Sequence, residues 1–169
     1  AERGNRVILV DADLRRSVIN STYGVQFEEK DGKSYGLSHY LAGIAELDDV
    51  LYQTDIEGAM MVPVGREILN PIPLIVSGRF QELLNKLADK ADYIIVDASP
   101  VGVVIDSAEI AKFCDGILLV VNYNEVHRQE LLDAKEQLEQ TGCPILGTVL
   151  NQVDYDNYTG KKYYYKSYY

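Results

Sequence analysis

Five short apolar runs, rich in β-branched residues and bounded by polar ones, constrain the fold of this 169-residue chain more than any other feature. Continuous apolar runs of this length are typical of strands that are buried on both faces, as in a parallel sheet. The runs are residues 7–10, 60–64, 93–96, 117–121 and 145–150. At this length the chain is expected to form one domain with a substantial core.

Amphipathic stretches separate these apolar runs. Ser77 can cap a helix whose apolar residues, between positions 80 and 87, follow i, i+3, i+4, i+7 spacing. Asp106 can cap a second helix, and residues 125–140 form a third candidate that ends before Gly142. Strands that alternate with helices predict an α/β fold with a mainly parallel sheet flanked by helices.

The charge of the chain limits the partners that it can bind. With 16 Lys and Arg against 26 Asp and Glu, the net charge is -10, so nucleic acid is not an expected partner. No apolar run approaches the ~20 residues that a membrane helix needs. Cys114 and Cys143 show no CxxC spacing, so neither a disulfide scaffold nor a thiolate metal site is indicated, and a reducing compartment is expected.

Carboxylates follow two of the apolar runs, at the strand ends where parallel sheets bind ligands. Asp11 and Asp13 come after residues 7–10, at a spacing that puts both side chains on one side of an extended chain. Asp97 follows residues 93–96. Three carboxylates at one edge repel one another unless a cation lies between them, and beside phosphates that cation is usually Mg²⁺. The plainer alternative is that Asp simply turns the chain at strand ends.

A phosphate-binding loop of the form GxxxxGK[ST] is absent from the sequence. Gly32-Lys33-Ser34 has Phe27 at the position that requires the first Gly. Gly160-Lys161-Lys162 has Tyr155 at that position, and neither Ser nor Thr follows the Lys. The acidic residues therefore lack the phosphate cradle that a nucleotide site also needs.

Tyrosine is concentrated at the C-terminus. The chain has 13 Tyr, 3 Phe and no Trp, and residues 155–169 contain seven of the Tyr but no Leu, Ile or Val. Such a segment has no core to join and is expected to be a flexible tail. A sticky aromatic terminus is one interpretation, and a stacking surface for carbohydrate or single-stranded nucleic acid is another. The seven residues are Tyr155, Tyr158, Tyr163, Tyr164, Tyr165, Tyr168 and Tyr169.

Two motifs resemble those of a known family. Residues 7–16, VILVDADLRR, resemble the Walker A′ motif of the bacterial tyrosine kinases of capsule and exopolysaccharide assembly, and residues 94–100, IIVDASP, resemble their Walker B motif. These kinases are deviant Walker ATPases, as are cell-division and partition ATPases. The match also includes residues 36–43, 70–84, 101–111 and 150–154 and ends in the Tyr cluster. It implies a three-layer, P-loop NTPase-like kinase domain over residues 1–154, followed by the tail 155–169.

The resemblance implies an ATP-dependent protein-tyrosine kinase that autophosphorylates its tail and regulates polysaccharide synthesis and export. Asp11 and Asp97 would organise Mg²⁺, and Asp11 or Asp13 would orient or deprotonate the attacking phenol. Arg15 and Asn151 would contact the nucleotide. Pairing with a carboxylate is the plainer alternative for Arg15, and a turn or cap is the plainer alternative for Asn151.

The resemblance also implies partners and a location. The kinase would form a homo-oligomer in which tails are phosphorylated in trans. A membrane-embedded activator that regulates chain length, either fused to the kinase or separate, would hold it in the cytoplasm at the inner face of the plasma membrane. A cognate tyrosine phosphatase would reverse the modification.

Several departures from the family pattern bear on these expectations. Ser17 stands where the family often has Pro, and Ala98-Ser99-Pro100 replaces Thr-Pro-Pro. The missing Walker A motif is expected upstream of residue 1, so these 169 residues alone are expected to be inactive. Two alternatives remain: a partition or division ATPase, against which the Tyr tail argues, and a non-catalytic adaptor whose tail is phosphorylated by an intact paralogue.

Overall fold

The computed structural model of the chain describes residues 1–19, 34–102 and 104–153. It divides into two compact units, Ala1–Cys114 and Asp115–Tyr169. The predicted boundary between a domain and a tail at residue 154 lies outside the described residues and stays a prediction. No helix in the described ranges is long and apolar enough to cross a bilayer.

The first unit contains a four-stranded sheet with helices packed against it. The strand order is β2-β3-β1-β4, in which β1 runs parallel to both β3 and β4, and the short β2 is antiparallel to β3. The described elements are β1 Val7–Asp11, α1 Leu37–Leu41, α2 Leu47–Val50, β2 Tyr52–Gln53, β3 Ala59–Val62, α3 Ile72–Ile75, α4 Arg79–Ala88, β4 Tyr93–Asp97 and α5 Asp106–Ala111. The mainly parallel sheet that the sequence predicts is confirmed.

One face of this sheet forms the core. Alternate residues of a strand point to the same face, and Ile8 and Val10 of β1 are both buried against the helices. Phe80, Leu83 and Leu87 of α4 form the apolar stripe that the sequence predicts, and each of them is fully buried. Burial of side chains of this size contributes about 1.5–3 kcal/mol each, so this stripe stabilises the core that also contains Ile8 and Val10.

The start of α4 differs from the prediction. The sequence assigns Ser77 as the cap, whereas the N-cap residue is Gly78, with φ 85°. Ser77 instead donates its hydroxyl hydrogen to the carbonyl of Leu74, one turn earlier. Glycine adopts positive φ at little cost, so Gly78 makes the turn into α4. The hydroxyl of Ser77 is used in the turn before it, at the carbonyl of Leu74.

Helix α1 begins where two backbone segments lie in close contact. The amides of Leu37 and Ser38 donate to the carbonyls of Pro63 and Val64, at 2.7 and 3.0 Å. A Cβ atom on Gly36 would lie 2.3 Å from the backbone nitrogen of Gly65. Because backbone cannot move aside as a flexible side chain can, only glycine fits here.

The substitution Gly36→Ala is expected to destabilise the folded chain by about 1–3 kcal/mol, the usual cost of overpacking. Urea denaturation followed by circular dichroism would measure the change in the free energy of unfolding. Gly102→Ala is the matched control, since a Cβ there meets no atom within 4 Å. Equal stability of the two variants would contradict the proposed steric cause.

The other face of the sheet is more open at β4. Tyr93 and Ile95 are 58% and 51% exposed, and in the described sheet β4 is an edge strand, paired with β1 alone. The sequence predicts burial on both faces of this strand, and for β4 that prediction is wrong, because the core of the first unit covers only the face of Ile94 and Val96.

The second unit contains β5 Ile117–Asn122, α6 Arg128–Glu139 and β6 Ile145–Asn151. The two strands are parallel, and their last residues are register partners. Ala134 and Leu138 of α6 are buried, as the sequence predicts. The helix starts three residues later than predicted, after the N-cap residue His127.

Candidate functional site

Two of the predicted acidic residues lie side by side at the carboxyl end of the sheet. Strands β1 and β4 are parallel neighbours, and Asp11 and Asp97 are register partners. The amide of Ala12 donates to the carbonyl of Asp97 over 2.7 Å, which extends the pairing by one residue. Adjacent parallel strands thus bring together two carboxylates that are 86 residues apart in sequence.

Asp11 is completely buried. Its Oδ2 accepts a hydrogen bond from Ser17 Oγ at 2.5 Å, whereas Oδ1 is buried without a hydrogen-bond partner. Burial raises the pKa of Asp11, and the negative charges of Asp97 and Asp13 raise it further, while the hydrogen bond from Ser17 opposes this rise. A buried carboxylate oxygen without a donor is satisfied well by a cation.

Asp13 is oriented by three donors. Its Oδ1 accepts hydrogen bonds from Ser99 Oγ at 2.7 Å, from the amide of Arg16 at 3.1 Å and from the amide of Arg15 at 3.3 Å. The amide bonds turn the chain just after β1, and the serine bond joins this turn to the segment that follows β4. Asp13 therefore has a fixed orientation beside the Asp11 and Asp97 pair.

Asp97 remains partly open to solvent. Desolvation of its carboxyl by the surrounding chain raises its pKa, and the negative charge of Asp13 raises it further. As register partners on adjacent strands, Asp11 and Asp97 lie at one edge of the sheet, where the sequence predicts that the carboxylates repel one another. Such repulsion lowers the cost of binding a cation.

The donor set fits Mg²⁺ through two carboxylates. In the described part of the chain, no three His, Cys, Asp or Glu side chains group closely enough to hold a metal by themselves. Mg²⁺ in phosphate sites usually takes one or two carboxylates and completes its shell with waters and phosphate oxygens. Asp11, with its unpaired Oδ1, and Asp97 match that pattern, while Ser99 and two amides already compensate the charge of Asp13.

Arg15 makes a bidentate ion pair with Asp106. Its Nη2 donates to Asp106 Oδ1 at 3.0 Å, its Nε donates to Oδ2, and its Nη1 donates to the carbonyl of Leu69 at 2.7 Å. The carboxylate that accepts the first two of these hydrogen bonds is buried, since Asp106 is only 1% exposed. This geometry matches the plainer of the two predicted roles, and the nucleotide contact by Arg15 stays a prediction.

The substitution Arg15→Ala is expected to lower the melting temperature, because it leaves the buried carboxylate of Asp106 without its counter-charge. The double variant Arg15→Ala with Asp106→Asn is expected to recover part of the loss. Thermal denaturation would measure both effects. A double variant that melts as low as Arg15→Ala alone would contradict the electrostatic cause.

Asn151 ends β6, beside a second asparagine that the sequence interpretation missed. The register partner of Asn151 is Asn122, the last residue of β5, and the Nδ2 of Asn151 lies 3.5 Å from the Oδ1 of Asn122. The amide of Tyr123 donates to the carbonyl of Asn151 at 2.8 Å. Asn122 follows an apolar run just as Asn151 does, so the sequence alone already indicates that Asn122 lies at a strand end. The nucleotide contact by Asn151 stays a prediction.

Three further residues of the acidic site were not predicted to belong to it. In the sequence, Ser17 and Ser99 stand out only as departures from a family pattern, and Asp106 is expected to cap a helix. Asp106 is instead the first residue of α5, after the N-cap residue Ile105, and its carboxylate accepts hydrogen bonds from Arg15. The seven predicted acceptor tyrosines, in residues 155–169, lie outside the described residues.

Comparison by sequence finds kinases. No protein-family model matches the chain. The chain is 38% identical over 170 residues to the tyrosine-protein kinase CpsD of Streptococcus agalactiae, in a match that covers 96% of this chain and 72% of that protein. It spans 64–66% of the length of further CpsD proteins from Streptococcus agalactiae and Streptococcus pneumoniae.

Comparison by structure finds the same fold. The kinase domain of the Escherichia coli tyrosine kinase ETK matches with a TM-score of 0.81 and 32% identity, over 90% of this chain and 57% of that one. The septum site-determining protein MinD of Pyrococcus horikoshii, in complex with Mg-ADP, matches with a TM-score of 0.69 and 26% identity, over 88% of this chain and 58% of that one. The P-loop NTPase-like fold that the sequence predicts is confirmed, and nucleotide use is common to these relatives. The chain belongs to the family of bacterial tyrosine-protein kinases.

Proposed function

We propose that the chain carries the acidic half of the active site of an ATP-dependent kinase that phosphorylates tyrosine. The observation that carries this proposal is the pair of Asp11 and Asp97 at the ends of adjacent parallel strands, with one buried oxygen of Asp11 unpaired. These two residues would hold Mg²⁺. When bound, the ion would neutralise charge on the phosphate groups of ATP and help to align them.

Asp13 would orient the substrate phenol and accept its proton. All three hydrogen bonds to Asp13 end on Oδ1, so Oδ2 is the oxygen available to a substrate. A phenol has a pKa of about 10, so it needs a base as it attacks, and Asp13 Oδ2 would accept its proton. This assigns Asp11 to the metal and Asp13 to the phenol, a choice that the sequence left open.

The seven tail tyrosines are the proposed acceptors. Fifteen residues of extended chain span at most about 50 Å, enough to reach the site of a neighbouring subunit in a homo-oligomer. The tail has one Asp and three Lys and is slightly basic, whereas residues 1–154 carry the acidic charge of the chain. This complementarity favours docking of an unmodified tail in trans.

The remaining proposals concern the whole protein. A phosphate loop would come from sequence outside these 169 residues. A membrane-embedded activator would place the kinase at the inner face of the plasma membrane, a tyrosine phosphatase would oppose it, and the phosphorylation state of the tail would regulate the synthesis and export of polysaccharide. The absence of GxxxxGK[ST] from the chain favours one alternative, a non-catalytic adaptor whose tail is phosphorylated by another kinase.

The test compares the chain with a longer one, called here the extended chain, in which the unmatched part of the Streptococcus agalactiae CpsD is fused to residues 1–169. With Mg²⁺ and ATP, the extended chain is expected to phosphorylate its tail tyrosines, and the 169 residues alone are expected not to. Phosphotyrosine would be quantified by mass spectrometry. Turnover of ATP by the 169 residues at a rate comparable to that of the extended chain would contradict the proposed need for an external phosphate loop, and an inactive extended chain would favour the adaptor.

A further inference from the structure

Ser17 gives the two oxygens of Asp11 different surroundings. Its Oγ donates to Oδ2 at 2.5 Å, and the opposite oxygen, Oδ1, is buried without a hydrogen-bond partner. Because Asp11 is completely buried, water does not equalise the two oxygens. The protein therefore holds one oxygen by a hydrogen bond and leaves the other without a donor.

The turn that brings Ser17 back to Asp11 is anchored at two successive residues, Leu14 and Arg15. Leu14 is buried in the core, and its carbonyl accepts a hydrogen bond from the amide of Ile68 at 2.7 Å. Arg15, the next residue, is fixed by its pair with a buried carboxylate and by the carbonyl of Leu69. With two anchors immediately before it, the hydroxyl of Ser17 lies at a place that the fold determines.

We infer that Ser17 is a positioning residue that holds Asp11 Oδ2 and thereby presents Oδ1 to Mg²⁺. The last torsion of an Asp side chain has broad, roughly two-fold preferences, so rotation of the carboxylate is opposed mainly by its hydrogen bonds. Partners that orient a metal ligand in this way typically change metal affinity by about 10-fold to 100-fold when removed. The inference rests on the proposed role of Asp11 as a magnesium ligand.

The role belongs to the hydroxyl of Ser17 rather than to its volume. Alanine removes the donor and leaves a side chain of similar size, whereas threonine keeps the donor. A purely structural serine would change stability when replaced and would leave the affinity for the metal unchanged. Measurement of both metal affinity and thermal stability therefore distinguishes a positioning role of Ser17 from a purely structural one.

The experiment titrates Mn²⁺ into the 169-residue chain and follows free Mn²⁺ by electron paramagnetic resonance, since Mn²⁺ takes the same oxygen ligands as Mg²⁺. The unmodified chain is expected to bind Mn²⁺ at a site that Mg²⁺ competes for and that Asp11→Asn removes. Ser17→Ala is expected to weaken this binding by about 10-fold or more. Ser17→Thr is expected to stay within about twofold of the unmodified chain by retaining the hydroxyl.

Ser77→Ala is the matched control, because it removes a serine hydroxyl that donates to a backbone carbonyl far from the acidic residues in sequence. Melting temperatures of all variants would be measured without metal. Equal Mn²⁺ affinity of Ser17→Ala and the unmodified chain would overturn the inference and leave the proposed function intact, and so would a threonine variant that binds as weakly as the alanine variant. If the unmodified chain binds no Mn²⁺, or if Asp11→Asn binds it equally well, the magnesium role of Asp11 fails and the inference fails with it.

Discussion

Replacement of Asp11 by Asn is expected to abolish tyrosine phosphorylation by the extended chain and to raise the melting temperature of the metal-free chain. Activity is expected to fall by about 1,000-fold, since a metal ion supplies several kcal/mol of charge stabilisation in such reactions. Stability is expected to rise because Asp11 is buried among other carboxylates without a cation. Both changes would have one cause: the buried carboxylate of Asp11 lowers the stability of the metal-free fold and supports catalysis by binding the metal.

The stabilising effect of Asp11→Asn should depend on pH. The pKa of Asp11 in the folded chain lies above its usual value of 3.8. The protonated Asp11 carboxyl therefore stabilises the folded chain fully below pH 3.8. This stabilisation is lost as the pH rises through the pKa of Asp11 in the folded chain. The melting temperature of the Asn variant should exceed that of the unmodified chain by more at pH 7 than at a pH just below 3.8.

Thermal denaturation of metal-free chains at the two pH values would test this effect, beside a phosphorylation assay on the extended chain. Asp89→Asn is the control, because Asp89 is an exposed carboxylate that follows α4. It should change neither activity nor the pH dependence. An Asp11→Asn variant that keeps full activity would exclude Asp11 as an essential metal ligand, and one that melts lower than the unmodified chain at pH 7 would contradict the electrostatic cost.

Replacement of all seven tail tyrosines by Phe is expected to eliminate tail phosphorylation, because Phe keeps the ring and lacks the phenolic oxygen that accepts the phosphoryl group. Phosphorylation of an added tyrosine-containing peptide by the extended chain should persist, since the acidic site is unchanged. Mass spectrometry would measure both. If phosphorylation persists at its original level on Tyr residues of 1–154, the tail is not the main acceptor.

The same variant tests the effect of phosphorylation on assembly. Each phosphotyrosine adds roughly -1.5 to -2 charge, so complete modification would make the slightly basic tail strongly acidic. Repulsion from the acidic body is expected to release the tail and loosen the homo-oligomer. Sedimentation of the extended chain should show smaller species after incubation with ATP, whereas the Phe variant should not respond. Equal or tighter assembly of the fully phosphorylated chain would refute this mechanism.

The parts of the fold that depend on periodicity could be predicted from the sequence. Each of the five apolar runs overlaps a strand, and the positions of Asp11 and Asp97 at strand ends follow directly from where those runs stop. The two-residue strand β2, Tyr52–Gln53, was not predicted. It is too short for any alternation to show, and it exists because β3 offers it an edge.

The partners within the site could not be predicted, because they depend on which distant residues the fold brings together. Arg15 and Asp106 are 91 residues apart, and no spacing rule links them. Ser17 is only six residues from Asp11, but the hydrogen bond requires a turn that Asp13 makes with its own side chain. Local sequence showed acidic residues, and only the tertiary structure showed that Asp11 has a buried oxygen without a donor whereas Asp13 is held by three donors.

The open side of β4 has a practical consequence for work on the isolated chain. An edge strand offers unpaired amides and carbonyls to other chains, and here the strand also exposes the side chains of Tyr93 and Ile95. Such a surface promotes strand addition between molecules and uptake of hydrophobic dyes. Purification of the 169 residues should therefore favour low concentration and mild solubilising conditions, because aggregation at this edge would disturb the metal titrations and melting curves of every variant alike.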